Sequence, residues 1–128
     1  MRIIGLDHIV LVVADVARTC AFYERTLGMQ PIEHRPGQWA LRFGANKISL
    51  QSVAGVPAMA VRTGPGSGNF CVLADAAMTD VVERLRREGI DIIEGPAPRV
   101  GAAGNLMSVY FYDPDGNLVE VSTVLPDT

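Results

Sequence analysis

The sequence YDPDGNLVEVS, residues 112–122, predicts a tight turn followed by a β-strand. Pro114 fixes φ and Gly116 accepts a positive φ, as a tight turn requires. The strand alternates, so Glu120 and Ser122 are predicted on one face and the valines on the other. A carboxylate between apolar neighbours is costly to desolvate unless a cation or a hydrogen-bond donor meets it. The rest of the chain is therefore expected to supply a cation or a hydrogen-bond donor for Glu120.

The composition indicates one globular domain. The chain has 128 residues, of which 48% are hydrophobic and 20% charged, enough to bury a core. A net charge of −3 without a basic cluster argues against nucleic acid as a partner. No apolar run reaches the roughly 18 residues that a membrane span needs, and nothing resembles a signal peptide. Cys20 and Cys71 are isolated in apolar segments, which predicts reduced core thiols in a cytoplasmic protein.

The two halves of the chain repeat one pattern. Each has an apolar strand that ends in Ala-Asp, at residues 14–15 and 74–75. In each half the aspartate is a candidate N-cap for a helix of about 12 residues. Gly28 and Gly89 follow the two helices as expected of C-terminal glycines. Three further extended segments complete each half, so the sequence predicts an α+β fold of two βαβββ modules.

The predicted boundaries follow the Pro- and Gly-rich stretches. One domain spans residues 1–128, with module one at 1–53, a linker at 54–68 and module two at 69–124. The stretch 98–104 is predicted to be a mobile loop. The two modules are expected to form a curled mixed sheet around one cleft.

Superposition of the two halves places His8 over Asn69 and Gln51 over Glu120. All four would lie on the first and last strands of their modules and line the cleft. Imidazole nitrogen with carboxylate and amide oxygens suits a borderline divalent ion such as Mn²⁺, Fe²⁺, Co²⁺, Ni²⁺ or Zn²⁺. Three or four protein ligands on an open cleft leave positions for water or substrate, which is the catalytic pattern. Such a metal would polarise a substrate oxygen.

Two segments carry a resemblance to a known family. LDHIVLVVADVARTCAFYERTLGM near the start and YFYDPDGNLVEVS near the end resemble the vicinal oxygen chelate superfamily. That superfamily includes glyoxalase I, bleomycin-resistance proteins, fosfomycin-resistance enzymes and extradiol ring-cleavage dioxygenases. The resemblance covers roughly residues 4–124. EGPAPRVGAAGNLMSVYFYDPDGN is most similar to small glyoxalase-domain proteins related to ring-cleavage dioxygenases.

The resemblance implies a set of metal ligands. His8 matches the first-strand histidine of the family's metalloenzymes, and Glu120 matches the final-strand glutamate. Gln51 falls where members have His, Gln or Glu. Asn69 falls where many members have His, and this departure implies weak affinity or only three protein ligands. Glu120 is also the candidate catalytic base, because a metal-bound carboxylate can transfer a proton.

Each of these residues also has an ordinary structural interpretation. His8 on an apolar strand fits a hydrogen-bonded core residue, and Gln51 fits an exposed strand residue. Asn69 follows a glycine and fits a turn. Glu120 could instead cap the turn or pair with Arg99.

Three further residues are candidates for substrate binding. Arg99 could hold an anionic substrate group, or be a solvated loop cation. Tyr110 could donate a hydrogen bond to substrate, although aromatic residues on strands are more often core. Trp39 fits either packing or a wall of the ligand pocket.

The leading functional hypothesis is a divalent-metal enzyme that acts on a small organic substrate with adjacent oxygens. Its reaction would be glyoxalase-type lyase or isomerase chemistry, or ring-cleavage dioxygenase chemistry with Fe²⁺. No basic set for glutathione is evident beyond Arg99, and the second cleft histidine expected for ring cleavage is not evident.

Two other interpretations stay open. One is a metal-free protein that binds a drug or metabolite, as bleomycin-resistance proteins do, which Asn69 and the aromatic Trp39 and Tyr110 favour. The other is a structural homodimer with a filled cleft. A homodimer is expected in any case, with the site within one chain or shared across the dimer.

Overall fold

The chain divides into two compact units, each with its own sheet and helix. The computed structural model describes residues 1–55 and 59–126, and the units are Met1–Ser67 and Gly68–Thr128. Each unit is a βαβββ module, so the predicted α+β class and two-module organisation are confirmed. The predicted linker 54–68 lies partly outside the described residues, because it contains Pro57 and its two neighbours.

Module one contains one helix and four strands: β1 (His8–Val13), α1 (Val16–Leu27), β2 (Gln30–Arg35), β3 (Gln38–Phe43) and β4 (Asn46–Ser52). Its sheet has the order β1-β4-β3-β2. The β1–β4 pair is parallel, and the other two pairs are antiparallel.

The ends of α1 were correctly predicted. The side chain of Asp15 accepts a hydrogen bond from the backbone N–H of Arg18 at 3.0 Å, which satisfies one of the free donors of the first turn. Gly28 has a φ of 68°, the left-handed conformation of a C-terminal glycine. On the sheet side, the Phe22 and Tyr23 rings are buried edge to face with centroids 5.4 Å apart.

Module two repeats this arrangement: β5 (Asn69–Leu73), α2 (Met78–Arg87), β6 (Glu94–Gly101), β7 (Gly104–Tyr112) and β8 (Leu118–Val124). Its sheet has the order β5-β8-β7-β6, with β5 parallel to β8. Val81 and Leu85 of α2 are buried, as are the strand residues Val109, Phe111 and Val121.

Two predictions for module two were wrong. Residues 98–104 are not a loop, because Pro98 and Arg99 belong to β6 and pair with β7. Proline is tolerated there because β6 is the edge strand of its sheet, where a missing N–H leaves no ladder bond unmade. Asp75 is not the N-cap of α2; that position is Ala77, which makes no side-chain capping bond.

A bulge interrupts the β6–β7 pair at the start of β6. The register shifts between Glu94 and Ala97, and Gly95 has a φ of 94°. A Cβ on Gly95 would overlap the carbonyl oxygen of Ser108. The Gly95–Pro96 peptide bond is cis. The bulge turns the chain so that Glu94 lies beside Arg99 further along the same strand.

The turn before β8 is fixed by one buried carboxylate. Asp113 Oδ1 accepts hydrogen bonds from the backbone N–H of Asp115 at 3.0 Å and of Asn117 at 2.9 Å. The Asn117 side chain donates to Asp113 Oδ2 at 2.8 Å and accepts from the Gly68 N–H at 2.7 Å. The turn therefore anchors the start of β5 and sets the β5–β8 register, in which Cys71 is the partner of Glu120.

The cysteines differ in environment. Both are free thiols; Cys20 is buried, whereas Cys71 is exposed, so the prediction of two core thiols holds only for Cys20. Burial is the largest cause that raises the pKa of each thiol. None of the helices in the described parts of the chain has the length and apolar character needed to cross a membrane.

Candidate functional site

One face of each sheet packs against its own helix, and the opposite face carries most of the predicted site residues. In module one, Leu11, Ile48 and Leu50 are buried on the helix side. Ser49 and Gln51 alternate with them and lie on the other face. We call this second face the helix-free face.

Trp39 lies on the helix side of module one. Together with Val16, Ala17, Cys20 and Gly37 it lines a cavity of about 540 Å³. The structure therefore does not bring Trp39 to the face that carries Gln51.

His8 lies at the start of β1 with its side chain 44% exposed. Its Nδ1 is 2.9 Å from Asp7 Oδ2. A carboxylate on one ring nitrogen fixes the tautomer and makes the other nitrogen a better ligand, and metal-binding histidines commonly have such a partner. Nε2 is thus the nitrogen of His8 that is suited to a metal ion.

Basic side chains lie to one side of His8 on the helix-free face. Lys47 of β4 is its direct partner in the β1–β4 pair, and Arg42 of β3 is the partner of Lys47. The ammonium of Lys47 lies 3.1 Å from His34 Nδ1. Since an ammonium can only donate, that nitrogen of His34 is unprotonated and accepts.

The imidazole of His34 is held in its neutral form. Its pKa is lowered from the ordinary 6.5, first by partial burial and then by the charges of Lys47, Arg35 and His8. We predict an NMR-titrated pKa below 6.5, and a rise toward 6.5 in Lys47→Gln. The unfolded chain binds this proton more readily than the folded chain does. The contribution of neutral His34 to the free energy of unfolding is therefore complete above pH 6.5, and it is lost as the pH falls. An unchanged His34 pKa in Lys47→Gln would contradict the contact.

The helix-free face of module two is centred on Glu120. Tyr110 of β7 is its direct partner on one side and Cys71 of β5 on the other. Glu120 Oε2 accepts a hydrogen bond from the Ser122 hydroxyl at 3.2 Å. Ser122 and Ser108 are both fully buried, and their hydroxyls lie 2.6 Å apart.

The Ser122 hydroxyl has three polar neighbours, because Cys71 Sγ also lies 3.1 Å from it. A hydroxyl has one proton to donate and two lone pairs. Ser122 donates its proton to Glu120, so the Ser108 hydroxyl donates to Ser122. The two serine hydroxyls therefore form a chain of hydrogen bonds that ends at the carboxylate, and the Cys71 thiol lies beside this chain, within reach of the Val72 carbonyl at 3.8 Å.

Arg99 is held beside the same face. Its Nε donates to the Tyr110 hydroxyl at 2.9 Å, one terminal nitrogen donates to the Pro98 carbonyl at 2.8 Å, and the other donates to Glu94 at 3.0 Å. The guanidinium also lies 5.3 Å from the centre of the Tyr110 ring. The bond to Tyr110 is the largest of the causes that raise the pKa of Arg99. The side chain is 35% exposed, so it is fixed and still accessible.

The strand registers alter the predicted equivalence of the two modules. Gln51 pairs with Val12, four residues after His8. Glu120 pairs with Cys71, two residues after Asn69. If His8 and Asn69 are equivalent, then the residue of module one in the place of Glu120 is Ser49, which pairs with Val10. Gln51 corresponds to Ser122 instead.

The described side chains form no cluster of three strong metal ligands. Within residues 1–55 and 59–126, no three His, Cys, Asp or Glu side chains are grouped so that they could hold an ion. Of the four predicted ligands, Glu120 and Asn69 lie on the β5–β8 strand pair of module two, which also carries Cys71.

Sequence reasoning missed the serine network and the basic cluster. Ser108 has the same strand parity as Tyr110, and this parity could have indicated the network. Arg42 and Lys47 flank the Gly44-Ala45 turn of a hairpin, and this symmetry could have indicated that they lie opposite each other.

The family of the chain is defined by its sequence over both modules. Residues 5–121 match the Glyoxalase/Bleomycin resistance protein/Dioxygenase superfamily model. The chain belongs to this superfamily.

Two relatives cover almost the whole chain. It is 43% identical to virulence protein STM3117 of Salmonella typhimurium over 95% of this chain and 85% of that protein. A structure from the mobile metagenome of V. Pseudocholerae is 42% identical, has a TM-score of 0.94 and matches 98% of each chain. These names specify no reaction.

A more distant likeness concerns the fold alone. The fosfomycin resistance protein FosX from Listeria monocytogenes, solved as a complex with Mn(II) and sulfate ion, is 24% identical with a TM-score of 0.66. The match covers 97% of this chain and 93% of FosX.

Proposed function

We propose that the protein is a divalent-metal-dependent enzyme that acts on a small oxygenated organic substrate. The reaction class is glyoxalase-type lyase or isomerase chemistry, or ring-cleavage-type dioxygenase chemistry. The observation that carries the proposal is the hydrogen bond between Asp7 and His8 Nδ1 at 2.9 Å, because it prepares Nε2 as a metal ligand. Membership of a superfamily whose name includes glyoxalases and dioxygenases supports it.

In this proposal His8 and Glu120 are the principal ligands, and Gln51 and Asn69 are the assisting oxygen ligands. The donor chemistry fits Mn²⁺, Fe²⁺, Co²⁺, Ni²⁺ or Zn²⁺. The Mn(II) bound by FosX, a protein of the same fold, is consistent with that range. The bound ion would supply Lewis-acid polarisation of a substrate oxygen.

The remaining roles belong to module two. Glu120 is the proposed base, and Ser122 orients it by donating to Oε2. Tyr110 and Arg99 are the proposed substrate-binding residues. Arg99 is already oriented by Tyr110 and Glu94, so it loses little side-chain freedom when an anionic substrate group binds.

A metal-free binding protein is the second candidate. Asn69 supports it, because a neutral amide is a weak replacement for an imidazole ligand. The strand register supports it too, because Gln51 does not occupy the place in module one that Glu120 has in module two when His8 is matched with Asn69. Under either function we propose a cytoplasmic homodimer with a small-molecule ligand, and no nucleic acid or membrane partner.

The metal content of protein purified without chelator tests the choice. We expect about one Mn, Fe, Co, Ni or Zn ion per chain by mass spectrometry, and loss of that ion in His8→Ala. Addition of the preferred ion at 100 times its dissociation constant should stabilise the folded chain by about 2.7 kcal/mol.

His34→Ala is the matched control, because it removes the other histidine of the chain and should keep the metal. No bound metal, together with no thermal stabilisation by any of the five ions, would refute the enzyme proposal and favour the metal-free binder.

A further inference from the structure

Three side chains that can carry positive charge form a row across module one. His8, Lys47 and Arg42 lie on the adjacent strands β1, β4 and β3, and each is the direct cross-strand partner of the next. Directly paired residues point to the same face, and adjacent strands are about 4.8 Å apart. The row therefore lies on the helix-free face of module one.

The row contains two permanent cations in directly opposite positions on neighbouring strands. Two like charges directly opposite each other in a sheet are destabilising, and Lys47 and Arg42 are such a pair. Within residues 1–55 and 59–126, neither side chain forms an ion pair with a carboxylate. The nearby Asp7 carboxylate is bonded to His8 at 2.9 Å. An anion bound between the two cations would reduce the repulsion between them.

A cavity lies at this pair of cations. It has a volume of about 280 Å³, and its lining includes Ile32, Arg42, Lys47 and the Gly44-Ala45 turn. Asn46 holds one wall in place, because its side-chain amide donates to the Leu6 carbonyl at 2.8 Å. The volume suits a small charged group rather than a whole cofactor.

The ammonium of Lys47 is oriented within the cluster. Its bond to the unprotonated Nδ1 of His34, at 3.1 Å, uses one of its three protons. Two protons of Lys47 and the donors of Arg42 then stay available for a ligand. Charge-assisted hydrogen bonds of this kind are the strong ones for oxyanions.

We propose that this cavity binds an oxyanion, meaning the phosphate-type or carboxylate group of a small molecule, through Lys47 and Arg42. Asp7 lines the same cavity and offsets part of the positive charge. Two permanent cations against one carboxylate leave the cavity net positive. The site requires no metal and no catalytic step, so it stands independently of the proposed enzymatic function.

The test is a titration of the full chain with inorganic phosphate and, separately, with acetate, in a non-coordinating buffer at low salt. Isothermal titration calorimetry should show saturable binding of at least one of the two, at about one per chain. Binding should weaken as sodium chloride is added, because salt screens accessible charges. Tighter binding of phosphate would indicate a phosphate-type ligand group, and tighter binding of acetate would indicate a carboxylate.

Single substitutions identify the site. Lys47→Gln and Arg42→Gln should each lower the affinity for the anion by about tenfold or more, because each removes about one charge-assisted hydrogen bond. Arg62→Gln is the control for net charge, because Arg62 is an exposed cation outside this cavity, and it should bind as the parent does. Melting curves establish that the variants are folded.

Two results would overturn the proposal: no saturable binding of either anion, or equal binding by the parent and both cavity variants. Metal content is measured on the same samples. A chain that holds a metal ion but binds no anion would contradict only this proposal. A chain that binds the anion but holds no metal ion would contradict only the enzymatic proposal.

Discussion

Substitution of Gly95 by alanine will destabilise the protein by about 3 kcal/mol or more, because two costs add. The backbone at Gly95 has a φ of 94°, which L side chains rarely adopt. An alanine Cβ there would also overlap the Ser108 carbonyl oxygen. That oxygen belongs to β7, a central strand of the module-two sheet, so it has little freedom to move.

Equilibrium unfolding in urea measures this effect. Gly64→Ala is the matched control, since it has no positive φ and a Cβ there would meet nothing within 4 Å. It should change the free energy of unfolding by less than about 0.5 kcal/mol. Equal midpoints for the two variants would show that the bulge is not constrained as described.

Replacement of Glu120 by glutamine will lower the affinity for the divalent ion by at least about 100-fold. Losing even an outer partner of a metal ligand typically costs 10–100-fold, and here a charged ligand is itself removed. The amide has nearly the same shape, and its oxygen can still accept from Ser122. The variant should therefore keep the melting temperature of the parent without metal.

Metal titration calorimetry on metal-stripped protein checks this expectation. Glu83→Gln, on the exposed side of α2, removes the same charge elsewhere in module two and should leave the affinity unchanged. Equal metal affinity in Glu120→Gln and the parent would remove Glu120 from the ligand set and, with it, the proposed base.

Local patterns predicted most of the fold. The Asp15 cap and the Gly28 terminus are determined by residues within one helix, so they are visible in the sequence. The same Ala-Asp pattern failed at Asp75, because the N-cap of α2 is two residues later, at Ala77. Pro98 was assigned to a loop because the edge position that tolerates it depends on strand order, a tertiary property.

The candidate site was predicted only in part, for the same reason. Alternation was enough to place Glu120 and Ser122 on one face. The pairing of Gln51 with Val12, and of Glu120 with Cys71, depends on the strand register. The similarity between the two halves of one sequence does not determine that register more closely than about two residues. The hydroxyl network of Ser108 and Ser122 depends on the same registers.

The separation of the chain into two modules, each with its own sheet and helix, has a consequence for how such a chain can change. Each module has its own helix-backed core, and the polar side chains of the helix-free face lie outside that core. The cations Arg42 and Lys47 and the carboxylate of Glu120 therefore lie on sheets whose helix-backed cores are separate. A charge on one sheet can be replaced without altering the core residues of the other.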